Sequence, residues 1–285
     1  MRPVLRLVPT IAVCLALVAC AGATAETQGD PVRVVASFYP LAYAAERLGG
    51  AQVAVTDLTP PGVEPQDLEL SADDLEAIAG ADVVIFLGGG FQPAVQDAVG
   101  TEATGAVLDV AMSQGSRDPH VWLDPSRYAD IVTAIAAVLA RRDIDVAPAA
   151  ASLAGDLHDL DASFRRGLAG CAGDLLITNH AAFGYLASAY GLRDEAISGL
   201  SPESEPDPAH LADLSAQIRA EGVTTIFTEA LVPPDVAQTL AAEAGVAVVV
   251  LDPLEGLSRD RIDAGENYLS VMRDDLATLR EGLGC

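Results

Sequence analysis

Two of the four histidines in this 285-residue chain lie at the ends of predicted strands or in the loops just after them. His120 is in D-P-H-V-W-L-D-P (residues 118–125), and His180 is in T-N-H-A-A-F-G-Y (residues 178–185). Loops at the carboxyl ends of strands are where α/β proteins place their binding groups. Imidazole is a common ligand of transition metals, and neither segment matches a nucleophile motif. The two histidines therefore predict a transition-metal site.

Strand and helix patterns alternate along the first part of the chain, which is typical of a parallel sheet with helices on its faces. A helix is predicted to begin after Ser71, which is followed three residues later by an acidic residue, and to end at Gly80. The other predicted elements are strands at residues 32–37, 53–58 and 82–87 and a helix at residues 39–48.

The pattern changes after His120, where two long amphipathic helices are predicted over residues 126–142 and 146–168 with no strand between them. Alternation then resumes, with predicted strands at residues 175–178, 224–228 and 246–251 and predicted helices at residues 181–190, 209–220, 234–244 and 261–283. The predicted fold is α/β, with two parallel-sheet lobes joined by a long rigid helix and a binding site in the cleft between them. The predicted boundaries are residues 32–143 for the N-terminal lobe, 144–170 for the linker helix and 171–285 for the C-terminal lobe.

The amino terminus predicts export. A short basic start precedes an apolar run that is too short to span a bilayer and typical of a signal-peptide core. Residues 17–20, L-V-A-C, resemble a bacterial lipobox, which predicts a signal peptide over residues 1–19 and lipidation of Cys20. A plain secretory signal with cleavage near Ala23 or Ala25 is the alternative. Residues 20–31 are small and polar, as expected of a flexible tether at a membrane surface.

The composition indicates an exported globular protein with a sizeable core. Hydrophobic residues make up 51% of the chain, whose length allows two domains. The net charge is −25, and all 16 basic residues are arginines. Such a negative field excludes nucleic acid as a partner. Solubility alone explains this charge, so it does not by itself indicate a metal.

Two cysteines, Cys171 and Cys285, remain after the predicted signal peptide and Cys20. An even pair in an oxidising compartment predicts a disulfide bond. Two free thiols are the alternative. A thiolate metal site is less favoured, because the two residues lack the close spacing of structural zinc motifs.

The chain after residue 31 resembles the solute-binding proteins of zinc and manganese ABC importers. The segments that carry this resemblance are S-F-Y-P-L (37–41), D-P-H-V-W-L-D-P, T-N-H-A-A-F-G-Y-L, G-L-S-P-E-S-E-P (199–206), L-D-P-L-E-G-L (251–257) and N-Y-L-S-V-M (267–272). The resemblance implies that the protein captures a metal outside the cytoplasm and delivers it to an ABC permease. It also implies a monomer with small lobe motion, held at the cell membrane by its lipid.

The resemblance implies four metal ligands, one from each of four segments. His120 and His180 match two of them, and Asp252 matches the acidic residue after the last strand. The remaining ligand is normally a histidine, but here P-G-V-E-P-Q-D (61–67) places Gln66 at that position. An amide oxygen is a weak, neutral ligand that suits calcium better than zinc.

Three ligand arrangements are compatible with Gln66 at this position. The site can use three protein ligands and a water, which zinc accepts readily. Glu64 or Asp67 can replace the missing histidine, or Gln66 can bind through its oxygen. Loss of metal binding is a further alternative. Two imidazoles and a carboxylate favour zinc over manganese as the transported ion.

The competing interpretations are a metal-binding adhesin, a metal chaperone without a transporter, and a zinc-dependent hydrolase. The chain contains no H-E-x-x-H motif and no G-x-S-x-G motif, so we expect that it is not an enzyme. Gly88-Gly89-Gly90 lacks the Lys-Ser/Thr pair of a phosphate-binding loop and is interpreted as a tight turn. Asp118 or Asp124 could orient His120, and Glu229 and Glu205 lie in or near the family motifs.

Overall fold

The computed structural model describes residues 30–111, 118–202 and 204–285. They form two lobes, each built on a four-stranded parallel sheet, which confirms the predicted fold class. The predicted signal peptide and Cys20 lie outside the described residues, as does most of the predicted tether. Within the part of the chain that is described, no helix combines the length and the apolar character needed to cross a membrane.

The sheet of the N-terminal lobe has the strand order β2-β1-β3-β4, with all strands parallel. Its strands are β1 Val32–Ala36, β2 Val53–Asp57, β3 Val83–Phe86 and β4 Ala106–Asp109. The helices between them are α1 Tyr39–Gly49, α2 Ala72–Gly80 and α3 Pro93–Glu102. Strand β3 is buried along its whole length, as expected of an inner strand covered on both faces. Helix α3 and strand β4 are absent from the elements predicted from the sequence.

Two long helices follow, α4 Pro125–Ala140 and α5 Ala147–Gly167, close to the predicted bounds. The Asp124 carboxylate caps α4 by accepting hydrogen bonds from the backbone of the first helical turn. Helix α5 buries a stripe of residues spaced by three and four, namely Leu153, Leu157, Leu160 and Phe164. It packs against α1 and α4 of the first lobe and against the last helix of the second, so the linker contacts both lobes.

The C-terminal lobe repeats the strand order of the first lobe as β6-β5-β7-β8, again all parallel. Its strands are β5 Leu175–Thr178, β6 Arg193–Ala196, β7 Thr225–Thr228 and β8 Ala247–Val250. The helices between them are α6 Gly184–Tyr190, α7 Pro208–Glu221 and α8 Asp235–Ala244. Strand β6 was not predicted, because R-D-E-A lacks the apolar residues of a buried strand.

The predicted closing helix is two helices, α9 Arg259–Asp263 and α10 Tyr268–Gly282. Gly265 interrupts the pattern with φ +82°, a left-handed conformation that glycine adopts without strain. Asn267 then starts a new helix, since its side chain accepts hydrogen bonds from the backbone N–H groups of Leu269 and Ser270.

A disulfide bond joins Cys171 to Cys285, as predicted. The two residues are separated by 114 positions, so the bond fixes the end of the chain to the start of the second lobe. In the loop-entropy model, closing a loop of this length stabilises the fold by about 4–5 kcal/mol.

The loops beneath the cleft are hydrogen-bonded directly across the two lobes. Trp122 of the first lobe donates from Nε1 to the carbonyl oxygen of Pro253 at 2.8 Å. Tyr268 of the second lobe donates to the carbonyl oxygen of Trp122 at 2.6 Å, and its ring stacks on Tyr128. Trp122 is 1% exposed and is therefore a core residue. We expect these hydrogen bonds and this ring contact to restrict the motion of one lobe relative to the other.

Candidate metal centre

The two histidines singled out from the sequence meet in the cleft between the lobes. His120 precedes the 3₁₀ turn Val121–Leu123, and His180 lies two residues after β5. Both side chains are fully buried, and their Nε2 atoms are 3.2 Å apart. Two imidazole nitrogens at this separation, taken from opposite lobes, converge on one point where a proton or a cation can be bound.

A carboxylate holds the other nitrogen of each ring. His120 Nδ1 lies 2.9 Å from Asp118 Oδ1, and His180 Nδ1 lies 2.6 Å from Glu229 Oε1. Each carboxylate oxygen also accepts from the backbone N–H of the histidine it holds. This arrangement orients both Nε2 atoms toward the cleft. Glu229 follows directly on the end of β7, so the strand places it beside His180.

Glu255 is the third donor beside the histidines. Its Oε1 atom lies 3.3 Å from His120 Nε2, and its side chain is 1% exposed. One ligand atom from each of His120, His180 and Glu255 can be chosen so that all three lie within 4.8 Å of one another. Within the described residues, this is the one group of at least three His, Cys, Asp or Glu side chains that meets this criterion.

The structure places Asp252 outside this group. Its carboxylate accepts from the backbone N–H of Leu254 at 2.7 Å and pairs with Arg261, while its own backbone N–H donates to Asp275. Leu254 adopts φ +55°, and this tight turn brings Glu255, three residues beyond Asp252, to the histidines. The segment L-D-P-L-E-G-L contains two acidic residues: the sequence pattern predicts Asp252 as the ligand, whereas the structure brings Glu255 to the histidines.

The loop at residues 61–67 of the first lobe carries three polar residues, Glu64, Gln66 and Asp67, which have different surroundings. Gln66 is half-buried and donates from Nε2 to Glu255 Oε1 at 2.7 Å. Glu64 is 9% exposed, and its carboxyl group contacts that of Glu255. Asp67 is exposed. The loop therefore brings Glu64 and Gln66, but not Asp67, into the buried cluster.

The buried ionisable groups of the cluster shift one another's pKa values. Burial alone would lower the pKa of His120, but its hydrogen bonds to Asp118 and Glu255 and their charges raise this pKa to about 9. Burial alone would raise the pKa of Glu255, but the hydrogen bond and charge of His120 lower this pKa to about 2. His120 and Glu255 therefore form a buried ion pair at neutral pH. Burial and then the neighbouring Glu255 raise the pKa of Glu64 to about 10.

Several buried oxygen atoms of the cluster have no hydrogen-bond partner within the described residues. They are Glu64 Oε2, Gln66 Oε1, Glu229 Oε2 and Glu255 Oε2. A buried acceptor without a partner costs about 1–3 kcal/mol, more when it is charged. Oxygens in this state beside two convergent imidazoles indicate a cation-binding centre.

A cavity of about 190 Å³ adjoins Gln66 at the mouth of the cleft. Gly88, Gly89 and Gly90 line it from the first lobe, and Leu200 and Ser201 line it from the second. Gly89 and Gly90 adopt φ +73° and +86°, so this segment is a turn, as interpreted from the sequence. Asp118 also lines the cavity, which therefore reaches two residues that contact the buried cluster, Gln66 and Asp118.

The chain matches the family described as the periplasmic zinc-uptake complex component A over residues 34–282. It is 32% identical to the high-affinity zinc uptake system protein ZnuA of Bacillus subtilis (strain 168), over 96% of each chain. The Zn(II)-bound structure of AdcA from Streptococcus pneumoniae is 32% identical with a TM-score of 0.75, over 90% of this chain and 58% of that chain. The chain thus spans just over half the length of AdcA.

The laminin-binding protein Lmb of Streptococcus agalactiae, described as bifunctional with adhesin and metal-transporting activity, has a similar structure. Its TM-score is 0.80 at 27% identity, over 88% of this chain and 99% of that chain. The family match over residues 34–282 includes both lobes and the helix that joins them, so it concerns the whole two-lobed fold.

Proposed function

Because the chain belongs to the family of periplasmic zinc-uptake complex component A, we propose that it captures zinc in the interlobe cleft and delivers it to an ABC importer. The family resemblance inferred from the sequence is confirmed, as is the prediction that the chain is not an enzyme. A permease is the partner, and the zinc ion is the transported substrate.

The observation that carries this proposal is the convergence of three buried donors on one point. We assign His120 Nε2, His180 Nε2 and a Glu255 oxygen as zinc ligands, with Asp118 and Glu229 orienting the imidazoles. Two imidazoles and one carboxylate form a ligand set that zinc accepts in tetrahedral geometry. Asp252, the acidic ligand expected from the sequence, instead supports the turn that carries Glu255.

The protein acts outside the cytoplasm, as its family does. Residues 1–19 are proposed as a signal peptide and Cys20 as a lipidated cysteine, followed by a tether to residue 31. The sequence L-V-A-C supports this, as does the relative from Streptococcus pneumoniae described as the zinc-binding lipoprotein AdcA. The protein is proposed to be a monomer. Its two lobes are residues 32–143 and 171–285, and the linker helix is residues 144–170.

Metal analysis of the protein as purified, followed by competition between zinc and manganese, tests the proposed function. We expect one zinc per chain and a higher affinity for zinc than for manganese. Deletion of the gene should reduce growth in zinc-limited medium, and added zinc should restore it. A purified protein that binds neither metal, or a deletion strain that zinc does not rescue, would refute the proposal.

A further inference from the structure

We propose that Glu64 is the fourth zinc ligand and that Gln66, at the position where the family resemblance implies a histidine, positions Glu255 instead of binding the ion. This inference rests on the proposed function. It concerns which loop residue completes the coordination of an ion already held by His120, His180 and Glu255.

The orientation of the Gln66 amide argues against a role as a ligand. Its nitrogen donates to Glu255 Oε1, the same oxygen that lies 3.3 Å from His120 Nε2. A carboxylate oxygen accepts from N–H and repels another oxygen. Turning the amide to offer its oxygen to the ion would therefore break this hydrogen bond and bring two oxygens together. Gln66 is best suited to hold Glu255 in place.

Glu64 offers the ion a carboxyl group, whereas Gln66 offers only an amide oxygen. Both residues have a buried oxygen without a hydrogen-bond partner within the described residues, Oε2 in Glu64 and Oε1 in Gln66. The carboxyl group of Glu64 also contacts that of Glu255 from two residues earlier in the same loop. A carboxylate is also a far stronger ligand for a divalent ion than an amide oxygen. Asp67, the other acidic residue of the loop, is exposed and lies outside the buried cluster, so it is not proposed as a ligand.

The loop that carries Glu64 is fixed from both lobes. The carbonyl oxygen of Pro65 accepts from Gln92 Nε2, a buried amide that also donates to the carbonyl oxygen of Ser37. From the opposite side, the backbone N–H of Gly62 donates to the carbonyl oxygen of Leu257 in the second lobe. Glu64 is therefore held on a braced segment, which is what a ligand with defined geometry requires.

The proposed ligand set is two imidazoles and two carboxylates. Two carboxylates balance the charge of a divalent ion, whereas an imidazole in place of Glu64 would leave a net positive centre. Oxygen ligands suit manganese better than imidazoles do, so Glu64 is expected to reduce the preference for zinc over manganese. Glu64 would then be a residue that determines metal specificity.

The test compares E64Q and E64A with E69Q, a control that removes an exposed acidic residue of the same loop region. Zinc and manganese affinities are measured by competition with a chelator, and folding is checked by thermal melting. We expect E64Q and E64A to weaken zinc binding at least about tenfold and manganese binding more, because a charged ligand is lost. E69Q should match the wild type.

Cobalt(II) gives a second readout, because zinc itself has no visible spectrum. Azide is titrated into the cobalt-loaded proteins. We expect a new absorption band in E64A, where the fourth position is open, and no change in the wild type or E69Q. Unchanged affinity in E64A, or weaker affinity without an azide band, would overturn the assignment of Glu64 as a ligand. Failure of the wild type to bind zinc would refute the proposed function instead.

Discussion

The two lobes share one strand order, β2-β1-β3-β4 and β6-β5-β7-β8, but they supply different chemistry to the cleft. The C-terminal lobe contributes His180 and Glu255, with Glu229 behind the imidazole, and all three side chains are at most 2% exposed. The N-terminal lobe contributes His120, held by an Asp118 side chain that is 22% exposed, and a loop whose half-buried Gln66 donates to Glu255.

The donors of the second lobe are fully enclosed, whereas the first lobe combines a buried imidazole with less buried supporting groups, Asp118 and the loop residue Gln66. Because the same scaffold holds both halves, changes in that loop can tune the metal without changing the fold. We therefore predict that zinc binding requires both lobes. We also predict that replacing Glu229 of the second lobe weakens zinc binding more than replacing Asp118 of the first lobe.

The largest effect is expected from removing either imidazole. We predict that H120A and H180A each weaken zinc binding at least about 100-fold, more than loss of a supporting residue, because each removes a ligand. H158A is the matched control, since His158 is exposed on α5 and should leave the affinity unchanged. Chelator competition measures all three. Near-normal binding by either cluster variant would show that one lobe suffices.

A smaller effect is expected from the carboxylates behind the rings. Replacing Glu229 by Gln should weaken zinc binding about 10–100-fold, because the charge that supports His180 is lost. Replacing Asp118 by Asn should cost less, about tenfold, since this more exposed carboxylate is partly replaced by solvent. Titration calorimetry of both variants checks the order. A larger loss in D118N would reverse the ranking of the two lobes.

The pH dependence of zinc binding reports on the protons that the ion displaces from the cluster. The pKa of His120 is raised to about 9 and that of Glu64 to about 10, so below pH 9 zinc must displace a proton from each of these two proposed ligands. We therefore predict that the apparent zinc affinity falls by more than about tenfold, and by up to about 100-fold, per pH unit as pH decreases below 9. Binding measured between pH 7 and 9 checks this. A flat profile over that range would contradict both raised pKa values.

The smallest effect is expected on the arrangement of the lobes. Helix α5 packs against both lobes, and Trp122 and Tyr268 tie their loops together beneath the cleft. Small-angle scattering of the protein with and without zinc should therefore show nearly identical curves. The Y268F variant removes one of these ties, and a larger zinc-dependent change in that variant alone would show that the tie restrains opening.

The periodic patterns predicted most of the fold. The linker helix was predictable because Leu153, Leu157, Leu160 and Phe164 repeat at helical spacing. Edge elements were harder: β6 is R-D-E-A, whose polar residues do not signal a strand. The break before α10 depends on the left-handed conformation at Gly265, which a helical pattern alone does not reveal.

The candidate site was predictable in part. The position of His180 followed from a strand end, since it lies two residues after β5 and parallel sheets bring such ends to one edge. His120 lies eleven residues after the end of β4, so no strand end accounts for its position. The choice between Asp252 and Glu255 could not be made from sequence, because it depends on the turn at Leu254 and on the pairing of Asp252 with Arg261. The contact between Glu64 and Glu255 joins residues of different lobes, which local patterns cannot reveal.

A crystal structure of the zinc-loaded protein, with data collected at the zinc absorption edge, tests the central claim most directly. The account predicts one zinc ion about 2.0–2.1 Å from Nε2 of His120 and of His180, and about 2.0–2.2 Å from a Glu255 oxygen. Asp252 should remain paired with Arg261. A zinc ion bound to Asp252 with Glu255 outside its coordination sphere, or a zinc ion away from the two histidines, would contradict the account.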